Sequence, residues 1–220
     1  MSQTPIPTLN YELELYAQGY QIIAGVDEAG RGSIFGPVCV GMVILPLDKP
    51  EELLPKLIDV RDSKKISRPK VYRLAEVVKS VARAWGVGVS TAQDVDQFGI
   101  MPAIRKAAEY ALQQMEEAFN LSVDYLLTDS ALPCPTGFPS DRQLSIVKGD
   151  ALSLSIACGA ILAKQHHDAL VRDIARNYEE DYQLINNVGY GTKAHKEAIM
   201  KLGYTPHHRR TFRLKGVSFD

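Results

Sequence analysis

Cysteine is scarce in this 220-residue chain: Cys39, Cys134 and Cys158 are odd in number and scattered, with no Cys-x-x-Cys pair. That argues against a disulfide framework and a structural zinc site, and it points to a reducing compartment. No apolar run reaches bilayer-spanning length, and the opening Met-Ser-Gln-Thr-Pro-Ile-Pro has no basic segment followed by an apolar one. A cytoplasmic protein is therefore expected, with no membrane partner. Net charge is lacking too. At a formal −1, the molecule as a whole has no pull toward a polyanion, so any nucleic-acid site has to be a local patch. Internal repeats and low-complexity segments are also missing. What remains, 45% hydrophobic and 23% charged residues, suits one globular domain with a small appendage.

The most informative stretch is 21–32. Ile22, Ile23, Ala24 and Val26 lead into adjacent carboxylates, Asp27 and Glu28, and then into Gly30-Arg31-Gly32. A short apolar run with β-branched residues, bounded by glycine, reads as a buried strand. Charge is costly in a core, so the two acids belong where the strand emerges or where something positive binds. Gly30 and Gly32 let a ligand approach the backbone N–H groups, and Arg31 adds a planar donor fork for phosphate. Taken alone, the stretch also fits a strand and tight turn with solvated charges.

The rest of the chain supplies context. Residues 9–18 are ambiguous, with alternating Leu9, Tyr11, Leu13 and Leu15 among helix-forming glutamates, and are read as a short helix. Residues 38–45 form a second strand, paired with the first as a hairpin and ended by Pro46. Val71, Leu74, Ala75, Val78 and Val81 recur at helical spacing after Ser67 and Pro69. Residues 84–90 alternate as a third strand, and a short helical turn follows. From Pro102, the stripe Ile104, Ala107, Ala108, Ala111, Leu112, Met115 and Phe119 marks a helix that packs into the core. Strands are expected at 123–128 and 142–147, a long helix from 151 to about 177, and a last helix at 192–202. This order implies a mixed sheet covered by helices.

Asp27, Asp129 and Asp150 each stand at or just past an expected strand end, where sites form in such sheets. Clustered carboxylates repel one another, and divalent cations relieve that. Oxygen-only donors favour Mg²⁺ or Mn²⁺. Two such ions roughly 3.5 to 4 Å apart can clamp the attacking water and the leaving oxygen of a phosphodiester. One geometric condition applies: neighbours on a strand point to opposite faces, so Asp27 and Glu28 share a site only if the strand twists or ends there, or if one of them uses its carbonyl.

Seven blocks in order carry a resemblance: 26–32, Asp62-Ser63-Lys64-Lys65, Thr128-Asp129, Lys148-Gly149-Asp150, Ile161-Leu162-Ala163-Lys164, Gly189-Tyr190-Gly191-Thr192-Lys193 with His195, and His208-Arg209-Arg210-Thr211-Phe212. With them the chain resembles the type 2 ribonuclease H family, ribonuclease HII. The resemblance implies an α/β fold, a ribonuclease H-like mixed β-sheet flanked by helices with a small C-terminal helical extension. Residues 1–20 would then be a lead and short helix, 21–185 the catalytic domain, and 186–220 a helix and basic tail packed on it. It also implies that Asp27, Glu28, Asp129 and Asp150 bind the metals, that Gly30, Arg31 and Gly32 read the ribose 2′-hydroxyl, that Tyr190 packs on the neighbouring sugar, and that Lys64 contacts phosphate. The implied reaction is metal-dependent cleavage 5′ to a ribonucleotide, in RNA/DNA hybrids or at single ribonucleotides in duplex DNA, leaving 3′-hydroxyl and 5′-phosphate ends. A role in removing ribonucleotides during replication and repair follows from the same resemblance.

The chain departs from the family at Lys164-Gln165-His166-His167-Asp168, which loses the usual arginine. Asp168 lies eighteen positions beyond Asp150, about five helical turns, and is assigned a structural role or a distant ion pair. Of His166 and His167 at most one points inward, as a core or solvated histidine. Residues 192–220 carry seven basic against two acidic residues, a candidate duplex-binding rim. A silent hybrid-binding module and a Mg²⁺-dependent exonuclease are the competing readings. The four acids speak against the first, and the glycine turn with Tyr190 against the second. A monomer is expected, and a contact with a replication clamp is not legible in the sequence.

Overall fold

The computed structural model describes residues 6–60, 66–130, 132–178 and 182–213. The run leading to Asp27-Glu28 forms β1 (Ile23–Ala29), and the chain returns after the glycine turn as β2 (Val38–Ile44). They pair antiparallel from Ala24 opposite Ile44 to Ala29 opposite Cys39, the expected hairpin. β3 (Ala84–Ser90) pairs antiparallel with the outer side of β2. β4 (Tyr125–Asp129) runs parallel to β1, and β5 (Gln143–Ile146) parallel to β4. The result is a mixed five-stranded sheet in the order β3-β2-β1-β4-β5, with β1 at its centre.

Both faces are covered. On one, α5 (Ile100–Phe119) buries the stripe Ala103, Ile104, Ala107, Ala108, Ala111 and Met115 against Val26, Val40 and Met42. On the other, α3 (Arg68–Val81) and α6 (Leu154–Ala175) pack with Val43. Double coverage explains why every residue of β2 is buried and why its sequence is apolar without alternation. In β3 the fully buried positions include Ala84 and Ser90, while Trp85, Val87 and Val89 are only half-buried. A Cβ at Gly25 would overlap Ser155, and one at Gly41 the Gly159 carbonyl, so α6 lies backbone-close on β1 and β2.

Element ends differ modestly from the sequence expectation. The long helix begins at Leu154 rather than 151, because Gly149–Ala151 first makes a 3₁₀ turn and Ser153 then caps the Ile156 N–H. The preceding helix starts at Ile100, which puts Pro102 in its first turn, where the missing N–H costs nothing. α4 (Ala92–Phe98) carries a reciprocal Thr91–Asp94 capping box. A short α2 (Pro50–Leu53) lies in the stretch left unassigned. The C-terminal elements α7 (Leu184–Asn187) and α8 (Lys193–Leu202) complete the chain. Among the described residues no helix is long and apolar enough to cross a membrane.

The ambiguous 9–18 segment is α1 (Asn10–Ala17). Its Glu12 is 1% exposed, and Oε1 accepts from Ser153 Oγ (2.6 Å), Ser155 N (2.9 Å) and Ser155 Oγ (2.6 Å). A carboxylate at a helix N-terminus satisfies orphan donors and complements the dipole. Glu12→Gln is expected to cost about 1 to 3 kcal/mol in urea unfolding. An unchanged midpoint would show that α1 does not anchor α6.

Candidate active site

The site gathers at the C-terminal ends of two parallel neighbours, β1 and β4, and at the turn before α6. Pairing of Val26 with Thr128 brings the following residues, Asp27 and Asp129, to the same edge. Asp129 Oδ1 accepts the Gly149 N–H at 2.7 Å, which ties the Gly149–Ala151 turn and its Asp150 to the end of β4. Asp27 is 5% exposed and Asp150 7%. Asp27 Oδ1 accepts the Glu28 N–H at 2.7 Å. The Asp27 carboxyl is pushed well above the usual range, first by burial and then by the charges of Glu28, Asp129 and Asp150.

The acids converge without closing. Among the described residues no three acidic, histidine or cysteine side chains stand close enough to form a ready-made metal cage. Yet the donor set suits a hard divalent cation. All its donors are oxygens, and Glu28 Oε2 is buried with no hydrogen-bond partner among the described residues. The other oxygen, Oε1, lies 3.6 Å from Arg31 Nη1.

The glycine turn is held from inside by a residue that the sequence reading counted in the basic rim. Arg209 is fully buried rather than on the surface. Its Nη1 donates to the carbonyls of Gly30 (2.7 Å) and Arg31 (3.2 Å), Nε to Gly36 (3.0 Å), and Nη2 to Pro37 (2.6 Å). Burial lowers its pKa to about 10, still protonated at neutral pH. With those carbonyls turned inward, the N–H groups of Arg31 and Gly32 have no acceptor among the described residues. Gly30 sits at φ +82°, and a side chain there would collide with the His167 ring; at Gly32 a Cβ would meet nothing, so that side is open to a ligand. The Arg31 guanidinium leans on Glu28 and on Met101 Sδ (3.6 Å).

Tyr190 is 39% exposed, and its backbone bridges antiparallel to Ser33, which sets it beside the turn. Lys64 lies outside the described residues. His167 is the inward member of its pair: fully buried, with Nε2 3.3 Å from Ser33 Oγ and Nδ1 3.2 Å from Asp168 Oδ1. Asp168 also meets Lys164 Nζ at 3.2 Å. Burial alone would raise the Asp168 pKa, but His167 and Lys164 outweigh it and the carboxyl is lowered. Asp168 is thus a structural ion pair on α6, as its spacing implied. The roles of Arg209, His195 and His208 are not legible in the sequence; their only signal is their place in the Gly189–His195 and His208–Phe212 blocks.

A family model for ribonuclease HII matches residues 24–215. The chain belongs to the ribonuclease HII family. It is therefore a nuclease that cuts the RNA of RNA/DNA hybrids internally. Ribonuclease HII of Caldanaerobacter subterraneus subsp. tengcongensis is 43% identical over 202 residues, 92% of this chain and 78% of the relative. In fold, the chain is similar to ribonuclease H2 from Pyrococcus horikoshii OT3, with TM-score 0.68 at 23% identity, covering 87% of this chain and 94% of that one. It is also similar to Bst-RNase HIII in complex with Mn²⁺, with TM-score 0.67 at 16% identity, covering 86% and 64%. The ribonuclease H-like fold expected from the sequence is the fold observed.

His208 supplies a pH test. Burial first, then the charges of His195, His207 and Arg210, push it down to about 3. The unfolded chain then binds a proton that the folded one refuses between pH 6.5 and 3, so this stability is fully present above 6.5 and lost as pH falls. Between pH 7 and pH 5 the group contributes a loss of about 2 kcal/mol. His208→Asn should flatten the pH dependence of the urea midpoint by that amount, and equal slopes would refute it.

Proposed function

We propose that Asp27, Glu28, Asp129 and Asp150 hold two Mg²⁺ or Mn²⁺ ions and that the protein hydrolyses the phosphodiester 5′ to a ribonucleotide, both in RNA/DNA hybrids and at single ribonucleotides in duplex DNA. The observation that carries this reading is the convergence on Asp27 of three further carboxylates beside a turn whose Arg31 and Gly32 N–H groups have no acceptor among the described residues. When bound, the ions supply charge neutralisation for the attacking water and the departing oxygen. The protein's own groups do the rest. Arg31 and Gly32 N–H groups take the 2′-hydroxyl oxygen, the group that separates RNA from DNA. Tyr190 packs on the adjacent sugar, and Lys64 neutralises a backbone phosphate. Water adds to phosphorus as the bond to the preceding 3′-oxygen breaks, giving 3′-hydroxyl and 5′-phosphate.

The Mn²⁺ complex of the structurally similar Bst-RNase HIII supports a divalent ion of this class. The protein is proposed to act as a monomer. A role in removing ribonucleotides during replication and repair, in the cytoplasm, is consistent with the reading. The test uses an end-blocked DNA duplex with one internal ribonucleotide. One nick 5′ to the ribonucleotide, lost in EDTA and absent from an all-DNA duplex, is expected. Cutting of the all-DNA control, or cutting in EDTA, would overturn the proposal.

A further inference from the structure

Behind the Tyr190 loop lies a buried pair of histidines that the proposed chemistry does not use. The Thr205 backbone N–H donates to His208 Nδ1 at 2.9 Å. A backbone amide can only donate, so Nδ1 carries no proton and the neutral ring carries it on Nε2. That Nε2 lies 3.1 Å from His195 Nε2, which must then accept. The His195 proton is thereby placed on Nδ1, which donates to the Tyr190 carbonyl at 3.0 Å. The sense of every bond from Thr205 to Tyr190 is fixed by its first member. A protonated ring would set two N–H groups face to face.

The surroundings keep the pair dry and still. Both rings are essentially unexposed, and the Phe35, Tyr182 and Tyr204 rings lie about them, with centroids 4.9, 5.0 and 5.6 Å from His208. The same segments are tied to the glycine turn. Gly189 O accepts from Ile34 N and Phe35 N, His207 O accepts from Gly36 N, and Arg209 N donates to Ile34 O. The Tyr190 carbonyl also accepts from Thr192 N at 2.8 Å and the Tyr190 N–H donates to Asn187 O at 3.0 Å, so loss of His195 removes one of the two donors that the carbonyl has among the described residues. The Tyr190 ring, half-exposed and with its centroid 6.1 Å from that of His167, takes its orientation from this backbone, and a tilt of about an ångström is enough to cost reactivity where alignment matters.

We infer that His195 and His208 are positioning residues for the reaction: a relay of fixed direction that sets the Tyr190 backbone, and with it the ring, against the sugar beside the scissile phosphate. This rests on the reading of Tyr190 as a substrate contact. Neither histidine touches substrate.

The test exploits amide mimicry of single ring nitrogens. Asn places an amide where Nδ1 stood, and Gln places one where Nε2 stood. On the single-ribonucleotide duplex, His195→Gln should lower kcat roughly 10- to 100-fold with KM little changed. His195→Asn, which still reaches the Tyr190 carbonyl, should recover most of that loss even though both variants disturb the cluster and lower Tm alike. In a Tyr190→Ala background His195→Gln should add less than about twofold, because coupled residues are not additive. If Tyr190→Ala alone leaves kcat and KM unchanged, Tyr190 is no substrate contact and the inference falls with it. If Tyr190→Ala lowers activity but the Asn and Gln variants at 195 are equal, or the Gln effect multiplies in full, the Tyr190 reading survives and the positioning role is overturned. Should His195→Gln fail to fold, His208→Asn is read the same way. Its amide can still accept from Thr205, while the Nε2 donor is lost.

Discussion

Asp27→Asn is expected to abolish cleavage and stabilise the metal-free protein at the same time. Asp27 stands at the centre of the candidate site, buried, and repelled by Glu28, Asp129 and Asp150. The isosteric amide keeps the shape and removes one of the repelling charges, so in EDTA Tm should rise by roughly 2 to 4 °C, the shift about 1 kcal/mol gives in a chain of this size. Turnover on the single-ribonucleotide duplex should fall by at least about 10³-fold, or roughly 4 kcal/mol of barrier. Added Mg²⁺ or Mn²⁺ should raise the Tm of the native protein and much less that of the variant, since only a binder of the folded state stabilises it. A variant that turns over normally, or that melts lower than the native protein in EDTA, would show that Asp27 is not the focus of an anionic metal site.

The second large effect is expected at Arg209, far from the reacting bond in sequence and absent from the proposed ligand set. Its guanidinium spans the carbonyls of Gly30, Arg31, Gly36 and Pro37 from a fully buried position. A lysine keeps the charge but offers a compact ammonium that cannot match this planar fork. Arg209→Lys leaves buried carbonyls unpaired and should cost about 2 to 4 kcal/mol in urea unfolding. Because the same bonds turn the Arg31 and Gly32 N–H groups outward, kcat/KM on the single-ribonucleotide duplex should drop roughly 10- to 100-fold in the fraction that remains folded. Full activity in a folded Arg209→Lys protein would mean that the turn holds its shape without the fork.

These two residues show how unevenly the site can be read from the chain. Asp27 and Glu28 announce themselves because charge at the end of an apolar strand is costly and has to be explained. Asp129 and Asp150 follow from the same argument, helped by their place in ordered blocks. Arg209 has no such local signal. Next to Arg210 in a basic stretch it reads as surface charge, and only the return of the C-terminal segment beneath 30–37 buries it. Glu12 gives no signal for the same reason: within its own helix it is an ordinary glutamate, and its partners lie 141 and 143 positions away. His167 and Asp168 occupy an intermediate place. Their helix is plain from periodicity, while the contact with Ser33 depends on where the glycine turn lands.

The sequence alone determined the order of the strands and of the longer helices, the apolar faces of α3 and α5, the β1–β2 hairpin, and the residue types of a candidate oxygen-donor site beside a glycine turn. These are local properties, set by period, turn chemistry and the cost of burying charge. Only the tertiary structure decided that β4 lies parallel beside β1, bringing Asp129 to Asp27. It alone decided that Arg209 and the His195–His208 pair stand under the turn and the Tyr190 loop. The first two of these join residues more than a hundred positions apart, the histidine pair residues thirteen apart, and in neither case does the hydrogen bond leave a periodic trace along the chain.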